Sequence, residues 1–86
     1  MRVVVLWRDG TDYARDVTDF MESLERRAGK AVESMDPDTR EGASFAEIYD
    51  VMEFPAILAL DEMGKVLARW QGTMLPRIDE VSYYMN

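Results

Sequence analysis

The features that most constrain this fold are two short, uninterrupted apolar runs. Val3 to Trp7 is a continuous run of β-branched, aliphatic and aromatic residues, and Ala56 to Leu60 is a second apolar run that follows Phe54-Pro55. A strand without polar alternation requires cover on both faces, and helices packed on either side of a sheet provide that cover. The two runs therefore predict buried strands in a protein of the α/β class.

Three segments show the periodicity of amphipathic helices. The first lies between a turn over residues 9–12, where Thr11 and Asp12 are candidate N-caps, and Gly29, the predicted C-cap. The capping-box pair Ser44 and Glu47 predicts the start of the second, and Pro76 predicts the start of the third. The predicted apolar faces are Ala14, Val17, Met21, Leu24 and Ala28, then Phe45, Ile48, Tyr49 and Met52, then Ile78, Val81 and Met85.

Two weaker strands complete the predicted order. Residues 30–35 form one strand, which ends at the turn Asp36-Pro37-Asp38. Residues 66–71 form the other, with alternating apolar and polar side chains, after a hairpin turn in which Gly64 takes a positive φ. The order β-α-β-α-β-β-α over residues 1–86 predicts an α/β sandwich in one domain.

Composition excludes most enzyme classes. The 86 residues include no His and no Cys, so the chain lacks a thiol nucleophile, an imidazole base and the commonest transition-metal ligands. Its formal charge of −7 opposes binding to a nucleic-acid backbone. No apolar run approaches the roughly 20 residues of a membrane-spanning helix. The first apolar run, Val3 to Trp7, is also too short for a secretory signal. We therefore expect a cytoplasmic protein without a cofactor or a metal, and with neither nucleic acid nor membrane as a partner.

Several short motifs occur in the order in which one superfamily has them. They are Trp7, the segment Gly10–Ala14, Phe54-Pro55-Ala56, Gly64-Lys65-Val66 and Gly72. Through these motifs the chain resembles the thioredoxin-like superfamily over essentially its whole length, and Gly10–Ala14 is similar to the Gly-Cys-Pro-Tyr-Cys motif of glutaredoxins. The resemblance implies a thioredoxin-like three-layer sandwich, with a four-stranded mixed sheet flanked by helices and a cis peptide bond before Pro55.

The departures from that family concern its chemistry. Thr11 and Ala14 stand where the two redox cysteines lie, and Val5 stands where thioredoxins have a buried aspartate. Thiol–disulfide exchange requires a thiolate, and a threonine hydroxyl cannot replace one at neutral pH. The resemblance therefore implies a redox-inactive protein without catalytic residues.

The surface around the former redox motif is the predicted binding site for a protein or an extended peptide. In the family, the residue before the cis-proline offers backbone N–H and C=O groups to an extended ligand, and that residue is Phe54 here. We expect Tyr13, Phe54 and Met74 to supply apolar contacts, and Arg8 with Asp12 to supply polar ones. The alternative is that Tyr13 and Phe54 pack against each other and that Met74 fills a gap in the packing. The predicted site residues are Arg8, Thr11, Asp12, Tyr13, Ala14, Phe54, Pro55, Thr73 and Met74.

Other functions stay open on the same residues. Thr11 is a candidate nucleophile with Asp12 or Asp9 as its base, although helix capping is the simpler role for Thr11 and Asp12. Arg8 is a candidate for binding glutathione without chemistry, but a glycine pair near Gly72 is missing.

The acidic groups favour a structural role, whereas Trp70 and the oligomeric state are left undecided. The acidic groups at residues 36–41 and 61–62 lack the spacing of a calcium loop, which favours solvated turns. Trp70 is predicted either to anchor a partner or a second copy, or to pack against the last helix. The sequence leaves the oligomeric state open.

Overall fold

A computed structural model describes residues 1–85, and these contain four strands and three helices in the predicted order. The elements are β1 (Arg2–Leu6), α1 (Ala14–Ala28), β2 (Glu33–Met35), α2 (Arg40–Ile48), β3 (Ala56–Leu60), β4 (Val66–Gln71) and α3 (Ile78–Ser82), with a 3₁₀ turn at Tyr83–Met85. Within this part of the chain, no helix is long and apolar enough to span a membrane.

The four strands form one mixed sheet in the order β2-β1-β3-β4. Strand β1 pairs in parallel with β2 and antiparallel with β3, and β4 pairs antiparallel with β3. Strands β1 and β3 are therefore central, which agrees with the two apolar runs that predicted buried strands. The predicted α/β fold class is confirmed.

Alternate residues of the central strands bury their side chains on opposite faces of the sheet. On one face Val3, Val5 and Ile57 join a cluster with residues of α1 and α3. On the other face Val4 and Leu58 join a second cluster with Phe45 of α2. The helices thus form separate layers, with α1 and α3 on one side and α2 on the other, and this is the expected three-layer sandwich.

The predicted C-terminal end of α1 is correct, whereas its predicted N-caps are wrong. Gly29 is the C-cap, with a left-handed φ of 74° and its N–H bonded to Glu25 O at 2.8 Å. The predicted caps Thr11 and Asp12 are wrong, because the N-cap position belongs to Tyr13 and no side chain caps this end. The Thr11 hydroxyl instead donates to the carbonyl oxygen of Arg8 at 2.8 Å.

Helix α2 begins four residues before the predicted capping box. Thr39 is its N-cap, and the Thr39 hydroxyl accepts a hydrogen bond from Gly42 N–H at 3.0 Å. Ser44 therefore lies within the helix. Gly42 lies so close to the preceding turn that a Cβ there would be 2.0 Å from Asp36 O. The turn at residues 36–39 therefore both caps the helix and packs against its first turn.

The predicted apolar face of α2 is wrong at two of its four positions. Phe45 is buried, but Ile48 and Met52 are 74% and 82% exposed. The helix ends because Asp50 adopts a positive φ of 54° and Val51 N–H bonds to Ala46 O at 2.8 Å. Met52 therefore lies beyond the helix, and Val51 is the buried residue there.

Predicted boundaries also move in three other elements. Strand β1 is Arg2–Leu6, so Trp7 of the predicted run lies outside it, although Trp7 N–H still bonds to Met35 O at 3.1 Å. Strand β2 is shorter than the predicted 30–35, because Val32 N–H donates to the Glu25 carboxylate at 2.9 Å, outside the sheet ladder. Helix α3 begins after Arg77 instead of at Pro76, and Arg77 N–H bonds to Glu80 Oε1 at 3.0 Å. The helix ends at Ser82, so Met85 of its predicted apolar face lies in the 3₁₀ turn. Strand β3 has the predicted bounds.

Candidate functional site

The loop between β1 and α1 is held by bonds to the backbone of Arg8. Its N–H donates to the Tyr13 hydroxyl at 3.0 Å, and its carbonyl oxygen accepts from the Thr11 hydroxyl at 2.8 Å. The Asp9 carboxylate accepts from Gly10 N–H at 2.9 Å and tightens the same turn. The site predicted from the former redox motif is therefore an ordered loop that hydroxyl and carboxylate groups stabilise without sulfur.

The Arg8 side chain connects this loop with two other segments. Arg8 Nε donates to Asp38 Oδ2 at 3.0 Å, and the guanidinium carbon lies 4.7 Å from the centre of the Phe54 ring. The second contact has the geometry of a cation–π interaction. The hydrogen bond and the negative charge of Asp38 raise the pKa of Arg8 above its ordinary value. The Arg8 guanidinium therefore pairs with Asp38 while it covers one side of Phe54.

Arg8 has an ion-pair partner that no pattern in the sequence indicates. It pairs with Asp38, a residue of the acidic group that the sequence places in a solvated turn. Asp12 is exposed in the turn before Tyr13, the N-cap of α1. Thirty positions separate Arg8 from Asp38, and no local pattern in the sequence connects them.

Phe54 presents open backbone groups at the end of the sheet. The Phe54–Pro55 peptide bond is cis, the isomer that the resemblance implies. Pro55 O accepts from Gly72 N–H at 2.9 Å, which brings the segment after β4 beside Pro55. Among residues 1–85, the backbone N–H and C=O of Phe54 make no hydrogen bond. These two groups are positioned to receive the backbone of an extended ligand.

The predicted aromatic contacts divide between the two faces of the sheet. The half-buried Tyr13 packs against the cluster beneath α1 and α3, and Phe54 packs against the cluster beneath α2. The structure does not support the alternative in which Tyr13 and Phe54 pack against each other, because their side chains join clusters on opposite faces of the sheet. Arg8 contacts both residues, through its backbone N–H to the Tyr13 hydroxyl and through its guanidinium to the Phe54 ring. Both rings remain partly accessible at the end of the sheet.

The remaining predicted site residues, Ala14, Thr73 and Met74, differ in how exposed they are. Ala14 is the first residue of α1 and is half-buried, whereas Thr73 is exposed directly after Gly72. Met74 is 91% exposed, so it does not fill a gap in the core. A Cβ on Gly72 would lie 3.1 Å from Glu53 Oε2, so the Glu53 carboxylate also borders the site, although it is not among the predicted site residues.

Thr11 lacks the partner that a nucleophile needs. Its hydroxyl proton points at a backbone carbonyl oxygen, which is not a base, and the Asp9 carboxylate is bonded to Gly10 N–H. The hydroxyl therefore serves the loop conformation, and the geometry gives no support to nucleophilic catalysis at Thr11.

Two of the acidic residues outside this site shape turns. Asp61 Oδ1 accepts from Met63 N–H and Lys65 N–H, each at 2.9 Å, and Asp36 Oδ1 accepts from Asp38 N–H at 2.8 Å. Within residues 1–85, no three acidic, His or Cys side chains lie close enough to hold a metal ion. The carboxylates of Asp36 and Asp61 therefore act as local acceptors for backbone donors.

Comparison with solved structures shows which fold this is. Thioredoxin 1 from the thermophilic eubacterium Thermosipho africanus superposes with a TM-score of 0.70 and 16% identity, over 99% of this chain and 90% of that one. The germline-specific thioredoxin Deadhead of Drosophila melanogaster gives 0.72 and 20%, and Fasciola hepatica thioredoxin gives 0.70 and 20%; each covers 96% of this chain and 75% of its own.

These comparisons confirm the thioredoxin-like fold. No protein-family model and no curated protein matches the sequence. At 16 to 20% identity the likeness concerns the fold alone. The chain therefore has the fold of a thioredoxin without a single cysteine.

Proposed function

We propose that this thioredoxin-fold chain is a redox-inactive binding module that holds an extended segment of a partner protein at the end of its sheet. The observation that supports the proposal best is the open backbone of Phe54, whose N–H and C=O have no partner among residues 1–85. An extended segment can pair with both groups as a short added strand.

The side chains around Phe54 support this use of its backbone. Arg8 is held over the Phe54 ring by Asp38, so its charge is already placed before a ligand arrives. An ordered site loses less conformational entropy on binding than a mobile one. The exposed Met74 adds a flexible apolar side chain that can contact a ligand. The site thus offers two backbone hydrogen-bonding groups, one fixed cation and a small apolar area.

The absence of cysteine limits what this module can do to its partner. Thiol–disulfide exchange proceeds through a mixed disulfide, and the chain has no sulfur atom that can form one. Binding in this proposal is therefore reversible and non-covalent. A short segment held by a few backbone bonds and one or two apolar contacts should bind with a Kd of about 1 μM or weaker.

Nuclear magnetic resonance of the isotope-labelled protein tests the proposal. The probe is reduced and carboxymethylated ribonuclease A, an unfolded chain that offers many extended segments. We expect the amide signals of residues 11–14, Phe54 and Thr73 to shift together and to saturate. Shifts scattered over the surface, or none at all, would remove the support for binding at this end of the sheet.

Replacement of Phe54 separates a binding role from a packing role. Phe54→Ala should cost about 1 to 2 kcal/mol, below the 3 to 5 kcal/mol of a fully buried phenylalanine, because the ring is only half-buried. It should weaken probe binding, since the Arg8 guanidinium loses the ring it rests on. Met63→Ala, at an exposed methionine in the hairpin turn, is the matched control. A large stability loss with unchanged binding would assign Phe54 to the core.

A further inference from the structure

Strand β4 is an unpaired edge of the sheet. It pairs with β3 on one side, and within residues 1–85 no further strand pairs with its other side. Gly72 N–H bonds to Pro55 O, so Gly72 faces β3. Because backbone groups alternate in direction along an antiparallel strand, those of Arg69 and Gln71 face outward. The edge therefore presents two residues' backbone donors and acceptors to a partner.

The usual protections of an edge strand are missing from the half of β4 that ends at Gln71. Proline and outward-reaching charged side chains commonly block edges. Here β4 has no proline, and its one charged side chain, Arg69, is drawn back to the carbonyl oxygens of Tyr49 and Asp50 at 2.6 and 3.3 Å. The irregular register lies at Ala59/Leu60, near the hairpin and away from Gln71. The half of β4 that ends at Gln71 is therefore regular and uncovered.

A cavity of about 360 Å³ lies beside this open half of the strand. Its lining residues are three aromatic ones, Trp70, Tyr83 and Tyr84, and three charged ones, Arg77, Asp79 and Glu80. Trp70 packs edge-on against Tyr84 at 5.9 Å between ring centres, and Tyr84 against Tyr83 at 5.0 Å. Trp70 therefore packs against the 3₁₀ turn that follows the last helix, and its ring also lines an open cavity.

The charges of the cavity favour a cationic side chain. Arg77 lies 3.4 Å from Asp79 and 3.6 Å from Glu80, so one cation faces two carboxylates. All three side chains are exposed, so a second cation can approach the carboxylates without removing Arg77. Aromatic rings attract ammonium and guanidinium groups as well. The chain's formal charge of −7 also attracts a basic segment, over a longer distance than the cavity's own charges do.

We propose that β4 is a second docking surface, which accepts a basic, extended segment of a partner protein as a fifth strand. The segment's backbone bonds to Arg69 and Gln71, and one of its Lys or Arg side chains enters the cavity beside Trp70. That side chain is the cross-strand neighbour of Trp70, on the face of the sheet that carries α3. The surface is separate from Phe54 and does not depend on the function proposed for that site.

Two synthetic octapeptides test this surface, one of alternating lysine and threonine and one of alternating glutamate and threonine. With the labelled wild-type protein, we expect only the lysine peptide to shift the amides of Arg69 and Gln71 and the indole N–H of Trp70. Gln71→Pro removes one outward N–H and leaves the bonds to β3 in place, so it should weaken binding about fivefold or more. Gln71→Thr keeps the N–H and is the matched control. Asp79→Asn should also weaken binding, because it removes one carboxylate from the cavity.

Three results would overturn the proposal. Equal binding of the lysine peptide by wild type and Gln71→Pro would show attraction to the acidic surface without strand addition. Shifts confined to residues 11–14 and Phe54 would place the peptide at the other site. A concentration-dependent dimer that Gln71→Pro abolishes, measured by sedimentation, would make a second copy of this chain the occupant.

Discussion

Gly42→Ala should destabilise this protein strongly, although alanine is the better helix former. Gly42 is buried in the first turn of α2, and its Cβ would lie 2.0 Å from Asp36 O and 2.6 Å from Asp36 C. Both atoms belong to the backbone, so no side-chain rotation relieves the clash. The turn at residues 36–39 must therefore move away from the helix.

The expected loss follows from three contributions. Alanine gains about 1 kcal/mol over glycine in a helix. Insertion of a methyl group into filled space costs about 1 to 3 kcal/mol and sometimes more. Displacement of the turn also weakens the bond from Gly42 N–H to the Thr39 hydroxyl, a cap worth about 1 kcal/mol. A distance of 2.0 Å places the cost of the inserted methyl group at the upper end of its range of about 1 to 3 kcal/mol. We therefore expect a net loss of about 2 to 3 kcal/mol in the free energy of unfolding.

Urea unfolding monitored by tryptophan fluorescence measures this loss. The control is Gly29→Ala, because a Cβ there meets no atom within 4 Å and tests only the cost of a left-handed backbone, about 1 kcal/mol. The displaced turn carries Asp38, so Gly42→Ala should also shift the ¹⁵N resonance of Arg8 Nε, whereas Gly29→Ala should not. Neutral surface substitutions change the free energy of unfolding by roughly 0.5 kcal/mol or less. If the free energy of unfolding of Gly42→Ala lies within that range of the wild-type value, the close packing of this turn on α2 is refuted.

Three further predictions concern other parts of the chain. Asp50→Gly should raise the free energy of unfolding by about 0.5 to 1 kcal/mol, because glycine adopts the φ of 54° without a Cβ penalty; an unchanged urea midpoint would contradict this. The hydrogen bond from Arg2 lowers the pKa of Glu33, so this pair stabilises the fold above the ordinary glutamate pKa and stops doing so as the pH falls through the lowered value. Both side chains are about half exposed, so the difference in unfolding free energy between wild type and Glu33→Gln should be below about 1 kcal/mol at pH 7 and should shrink as the pH falls through the lowered pKa of Glu33. Insulin reduction assayed with pure protein and dithiothreitol should not exceed the rate without protein, since the chain has no cysteine.

The sequence predicts the sheet well because the sheet depends on local apolar patterns. Strand β3 has the predicted bounds because Pro55 marks its start and every residue in it is buried. Gly29 ends α1 as predicted, since a left-handed C-cap is a local property of glycine. These features need no knowledge of distant contacts.

The errors occur where two local signals compete or where a contact joins distant segments. Ser44 and Glu47 have the spacing of a capping box, but Thr39 caps the helix first because the turn before it packs against Gly42. Met52 fits helical spacing, but the backbone of Asp50 ends the helix before it. The pairing of Arg8 with Asp38 depends on the finished fold, so the sequence located the loop of the candidate site without its central ion pair.

The alternation of buried residues along β1 and β3 also bears on how this protein can diversify. Each strand sends successive side chains into two separate clusters. Substitutions in one cluster therefore have nearly additive effects with substitutions in the other, and the two clusters can evolve nearly independently. Changes beneath α2 can alter how Phe54 is supported, and changes beneath α1 and α3 can alter how Trp70 is presented. One lineage can therefore remodel either surface while the opposite cluster remains ancestral.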